Sequence, residues 1–191
     1  MFVLGCSEPH RKIASVAVTE HALATACLQA SNDACLRACD DGHAPSCVEA
    51  GRNAELGLDT IKSGFNATGY YRRACELGSL EGCYNSAYAL EVGLNGRKDV
   101  GCALALYKST CEAGHARSCM AAGMIYAVGS ALVDQNPEAA RASFQRGCDL
   151  GYAPACKAIP KTAPKVPTTV APSASSAQPQ ASTVPSVAPP D

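Results

Sequence analysis

The chain has 191 residues, 47% of them hydrophobic, with 16 basic residues against 17 acidic ones and a net charge of -1. That suffices for one domain with an appendage, and with no like-charge run longer than a pair it lacks the positive field that attracts nucleic acid or an anionic membrane. No apolar run approaches the roughly 20 residues of a membrane-spanning helix, while twelve cysteines and not one Trp make sulfur the feature to explain.

In chain order, residues 1–9 contain Val3-Leu4-Gly5-Cys6-Ser7. This string resembles the lipobox at which bacterial prolipoproteins are cleaved and diacylated on cysteine. The resemblance makes 1–9 the remnant of an export segment and Cys6 the candidate lipidation site, with Ser7 compatible with the outer membrane. Met1 to Gly5 hold neither the charged region nor the apolar run of a signal peptide. Either the reading frame starts further upstream or the Gly-Cys pair is accidental. Residues 10–30 carry apolar side chains at helical intervals in SVAVTEHALATACLQA, which predicts an N-terminal capping helix.

From 31 to 158 the chain repeats. Four cysteine pairs share one internal spacing of eight: Cys39 with Cys47, Cys75 with Cys83, Cys111 with Cys119, and Cys148 with Cys156. Their first members lie 36, 36 and 37 residues apart, in the strings ACDDGHAPSC, ACELGSLEGC, TCEAGHARSC and GCDLGYAPAC. A period of that length points to stacked supersecondary units. Three places after each first cysteine stands Gly42, Gly78, Gly114 or Gly151, the usual left-handed helix cap. Twelve places before the first cysteine stand the N-cap types Ser63, Asp99 and Asn136, the last followed by Pro137. Between these brackets Tyr71, Tyr107 and Phe144, with Ala67, Ala103 and Ala140 four back, form a buried stripe at helical spacing. This is helix B. The second cysteine is read as opening helix A, over Cys47 to Leu56, Cys83 to Val92 and Cys119 to Val128, stopped by Gly57, Gly93 and Gly129. Four residues into it, Gly51, Ala87 and Gly123 are small enough for a neighbouring helix to approach closely. The fold class is therefore all-α, an α-solenoid of helix-turn-helix repeats.

The period, the small residue of helix A, the aromatic of helix B and the C-[DE]-x-G-x4-C junction together resemble the Sel1-like repeat family, in the cysteine-rich form of bacterial secreted Hcp-type proteins. The likeness covers roughly residues 30–158. The first unit departs from it, with Cys35 in place of the aromatic, and the last ends just after Cys156, as terminal units commonly do.

One cysteine ending a helix and its partner beginning the next can bring their Cβ atoms within disulfide range. The rival is zinc, which favours two close C-x2-4-C pairs; the sequence offers only Cys35 and Cys39 at such a spacing. Disulfides are the better reading and no metal or cofactor is expected. Cys27 and Cys35 share the spacing of eight without the glycine and make a fifth expected bridge. Cys102 reads as a buried free thiol. Bridges of this kind need an oxidising home, which predicts a periplasmic or extracellular address, with an outer-membrane lipoprotein as the reading if Cys6 is lipidated.

From 159 to 191 the composition turns to Pro, Ala, Ser, Thr and Val without an aromatic, which predicts a disordered tail. The sequence holds no G-x-S-x-G elbow, P-loop, H-E-x-x-H or G-x-G-x-x-G, so no catalytic residue is assigned. His43 and His115 read as turn decoration. The Hcp-type resemblance implies penicillin binding or β-lactam hydrolysis as an alternative, yet neither S-x-x-K nor K-T-G occurs. Positions two and five after the second cysteine share one face of helix A, where Glu49, Arg52, Asn85, Tyr88 and Met124 are the expected contacts to a protein or peptide on the concave side. The leading expectation is a non-catalytic interaction scaffold of the bacterial cell envelope. It stands against the β-lactam enzyme and against a purely structural lipid-anchored protein, whose only membrane link would be Cys6.

Overall fold

Ser63, Asp99 and Asn136 have non-helical backbones, and each accepts with its side chain the amide three residues on, at 3.2, 2.9 and 2.9 Å. These caps satisfy one of the orphan donors at a helix start and set where each helix B begins. The computed structural model describes residues 27, 32–58 and 61–160. The expectations for 1–9 and for the tail beyond Pro160 lie outside those residues, as does the capping helix apart from Cys27.

Eight helices lie wholly within the described residues: α1 (Asn32–Asp40), α2 (Ala44–Leu56), α3 (Gly64–Glu76), α4 (Leu80–Val92), α5 (Val100–Glu112), α6 (Ala116–Val128), α7 (Pro137–Asp149) and α8 (Ala153–Ala158). Odd-numbered helices are helix B and even-numbered ones helix A. Each packs on its neighbours in sequence, and α2 also touches α4, as α6 touches α8. The A helices thus lie side by side along the ribbon, with α4 and α6 joined through Glu81 and Arg117.

At the B-to-A corner, the amide of Gly114 donates to the Cys111 carbonyl and that of His115 to the Thr110 carbonyl, both at 3.0 Å. Gly114 sits at φ +101, a conformation that a Cβ would strain. The equivalent pairs of bonds recur around Gly42, Gly78 and Gly151.

Helix A begins three residues earlier than the sequence reading placed it. His43, Ser79, His115 and Tyr152 are its N-caps, and the second cysteine is the fourth helical residue. The backbone turns helical directly after the corner because Pro45 and Pro154 suit the first turn of a helix and Ser79 caps the amide of Gly82 at 3.1 Å.

The core is thin and built from small side chains. Tyr71, Tyr107 and Phe144 are buried, as are Ala67, Ala103 and Ala140. Around Tyr107 the cluster adds Ala87, Leu104, Ala122 and Ile125. Cys35, Cys39, Cys47 and Cys119 rank among the largest fully buried side chains, so sulfur fills volume that aromatics occupy in larger cores.

Candidate binding face and the cysteine corners

Five disulfides close the corners: Cys27–Cys35, Cys39–Cys47, Cys75–Cys83, Cys111–Cys119 and Cys148–Cys156, with Cα atoms 4.4 to 4.7 Å apart. Four of them, Cys39–Cys47, Cys75–Cys83, Cys111–Cys119 and Cys148–Cys156, lock the end of a helix B onto the first turn of the following helix A, while Cys27–Cys35 fastens Cys27 to α1. Cys35 and Cys39 belong to separate bridges, and among the described residues no group of three or more His, Cys, Asp or Glu is placed to hold a metal. The reading of Cys102 as a buried free thiol is wrong. It is half-buried and disulfide-bonded. Cys102 stands outside the spacing of eight, so no local pattern announced a partner. The Cys6 lipidation site lies outside the described residues.

His43 and His115 have a structural task that went unrecognised in the sequence. His43 Nδ1 lies 2.7 Å from Ser46 Oγ, and His115 Nδ1 lies 2.9 Å from Ser118 Oγ. Where the histidine is replaced by Ser79 or Tyr152, the serine is replaced by Gly82 or Ala155. This matched exchange along the chain is the signal that could have found the pair. His115 Nε2 also meets Glu81 Oε2 at 3.1 Å, which completes a serine, histidine and carboxylate in the order of a hydrolytic triad. Ser118 has no exposed surface, so its hydroxyl cannot reach a substrate carbonyl. The chain of groups acts as an inter-repeat link.

That link is larger than one bond. Glu81 Oε1 accepts from Arg117 at 2.9 Å, and the Arg117 guanidinium lies 4.4 Å from the centre of the Tyr84 ring, which also packs tilted against His115 and Tyr107. Glu81 and Arg117 occupy the same place in successive repeats, and together they tie α4 to α6.

A second inter-helix bond runs from each buried tyrosine to the preceding helix A. Tyr71 donates to Glu55 at 2.7 Å and Tyr107 to Glu91 at 2.9 Å. Burial, reinforced by the neighbouring carboxylate, pushes both phenols well above their ordinary pKa of 10.0. In the next unit Phe144 has no hydroxyl, and Ala127 stands where the carboxylate would be.

Of the expected contact residues, Arg52, Tyr88 and Met124 are exposed while Glu49 and Asn85 are half-buried. Arg52 pairs with Glu49 at 3.6 Å. One turn further on, Leu56, Val92 and Val128 are also exposed, at 57%, 45% and 67%. Sequence reasoning passed over these three because each is the last residue before a capping glycine. With Arg52, Tyr88 and Met124 they form a row repeated at equivalent positions of α2, α4 and α6. The row is largely apolar, with one cation at its start.

No family model and no curated protein matches the sequence. Solved structures do. A protective antigen of uropathogenic Escherichia coli with an SLR fold superposes with a TM-score of 0.61 at 20% identity, over 65% of this chain and 27% of that one. The Sel1 repeat protein from Oxalobacter formigenes gives 0.59 at 21% identity, over 65% of this chain and 50% of that one. The fold is the Sel1-like repeat fold. Helicobacter pylori cysteine rich protein B adds a TM-score of 0.51 at 24% identity, covering 73% of this chain and 96% of that one. This Sel1-like chain thus spans about a quarter and a half of the length of the first two. Its disulfides require an oxidising environment, and among the described residues no helix is long and apolar enough to cross a membrane.

Proposed function

We propose that the chain is a non-catalytic scaffold of the bacterial cell envelope, periplasmic or extracellular, that binds a protein or peptide along the exposed face of its A helices. The observation that carries this reading is the row Arg52–Leu56, Tyr88–Val92 and Met124–Val128. A monomer gains nothing by presenting large apolar side chains at the same outward position in three successive repeats. Stacked repeats present such rows to extended partners, and exposed Tyr, Met and Arg are the side chains that contribute most at interfaces. Disulfide-fixed corners hold the row rigid, so little conformational entropy is lost on binding.

The test is selection of displayed peptides on the oxidised full chain, followed by affinity measurement on a Tyr88→Ala/Met124→Ala variant. Both side chains are exposed, so the variant should melt within a degree or two of wild type while binding the selected peptides at least tenfold more weakly. Equal binding by both proteins would remove the face from consideration.

A further inference from the structure

The five bridges differ in their access to solvent. Both residues are buried in Cys27–Cys35, Cys39–Cys47, Cys75–Cys83 and Cys111–Cys119, whereas Cys148 is half-buried and Cys156 is exposed. The cover comes from the helix B of the following unit. Ala74 of α3 shares one buried cluster with Cys39 and Cys47, and a Cβ added at Gly147 of α7 would lie 3.3 Å from the Cβ of Cys119. After α8 no further helix follows among the described residues, so the last corner has no such cover. Its charges differ as well. Lys157 follows the second cysteine, where Val48, Tyr84 and Met120 stand in the other units. We propose that Cys148–Cys156 is a thiol-exchange site, where a small-molecule thiol enters as a mixed disulfide on Cys156 while the four buried bridges keep the scaffold intact.

Exchange needs a thiolate to reach one sulfur of the bridge, and access decides which bridges react. At this corner the approach favours Cys156. It is the more exposed of the two, and the exposed cation of Lys157 attracts an anionic nucleophile, whereas the exposed carboxylate of Asp149 beside Cys148 repels it. The incoming thiolate forms a bond to the Cys156 sulfur. The bond between Cys156 and Cys148 breaks with its electron pair passing to the Cys148 sulfur, which takes a proton from water. One disulfide is exchanged for another, so no oxidant is consumed. A second small thiol that attacks the first at its sulfur releases Cys156 as a thiol and carries the pair away as their own disulfide. The structural cost is local. The bridge fastens α8, a helix of six residues, to the end of α7. The row from Arg52 to Val128 lies on α2, α4 and α6, whose corners keep their own buried bridges.

Incubation of the oxidised full chain with excess reduced glutathione under native conditions, followed by acid quench, alkylation and tryptic mass mapping, tests the site. Cys148 and Cys156 fall in one peptide, 147–157, so their states are read together. That peptide should gain a glutathionyl group on Cys156 and an alkyl group on Cys148 about tenfold faster than either group appears on the peptides of the four buried bridges. Helical circular dichroism should hold steady meanwhile. Reaction of a buried bridge at the same rate, a first adduct on Cys148, or loss of the helical signal in step with the adduct would overturn the proposal. Cys148→Ser/Cys156→Ser gives a second readout, in which the fast phase should vanish from the time course of thiol release. A fast phase that survived in that variant would equally refute the assignment.

Discussion

The side chain four places after each second cysteine decides how closely a helix A can lie against the next helix B. A Cβ added at Gly123 would come within 2.4 Å of the Phe144 ring, and one at Gly51 within 2.5 Å of the Tyr71 ring. Gly123→Ala therefore sets two effects against each other. Helix propensity favours alanine by about 1 kcal/mol, while overpacking against a buried ring costs about 1–3 kcal/mol. The ring is held between helices, so overpacking should win and the melting temperature should fall; a rise would show that Phe144 can step aside. The tyrosine–glutamate bonds have a pH signature of their own. With the folded pKa of Tyr71 and Tyr107 raised above 10.0, the folded state holds the phenolic protons more tightly than the unfolded chain. Their contribution is complete below pH 10.0 and is lost as pH rises from there through the folded values. Ultraviolet phenolate titration of the seven tyrosines should show these two ionising only on unfolding. Glu91→Ala/Tyr107→Phe, which copies the Phe144 unit, should remove one of them from the late phase. An unchanged late amplitude would contradict the assignment.

At the scale of the element, the corner is where sequence and structure agree best, for a physical reason. Its geometry is set by a left-handed glycine and two cysteines within ten residues, so these determinants are local and recur fourfold. The start of helix A was misplaced because cysteine has no capping tendency, whereas His43 and His115 look like ordinary turn residues until their serine partners are seen. Cys102 was misread because it stands outside the spacing of eight that marks the other bridges. The face bearing Tyr88 and Met124 was legible from helical phase alone, but Leu56, Val92 and Val128 were not, since a residue beside a capping glycine carries no periodic signal. The short corner loops also allow a quantitative expectation. Closing about nine residues restricts the unfolded chain by about 2.5 kcal/mol on the chain-entropy model. Cys75→Ala/Cys83→Ala should lower stability by that amount in denaturant titration, plus a smaller cost for the cavity, since both sulfurs are buried. A loss well under 1 kcal/mol would mean that the Gly78 cap and the Ser79 cap hold the corner without sulfur.

For the whole molecule the question is whether a ribbon this thin could stand without its bridges. Native stability is typically about 5–15 kcal/mol, and five corner loops at about 2.5 kcal/mol each amount to most of that range. Among the described residues the polar links between repeats are few by comparison: two tyrosine–glutamate bonds, the Glu81, His115, Arg117 and Tyr84 cluster, and two bonds from Arg146 to the carbonyls of Cys111 and Glu112, beside the close glycine-to-ring contacts. The ion pair within that cluster is partly solvated and adds at most about 1 kcal/mol. The oxidised chain should therefore melt cooperatively, and the fully reduced, alkylated chain should lose its helical circular dichroism at room temperature. Binding to the A-helix face should disappear in the same step, because Arg52, Tyr88 and Met124 are aligned only while the corners hold their angle. A reduced protein that kept both its helical signal and a sharp melt would show that packing alone carries the fold, and the requirement for an oxidising compartment would fall with it.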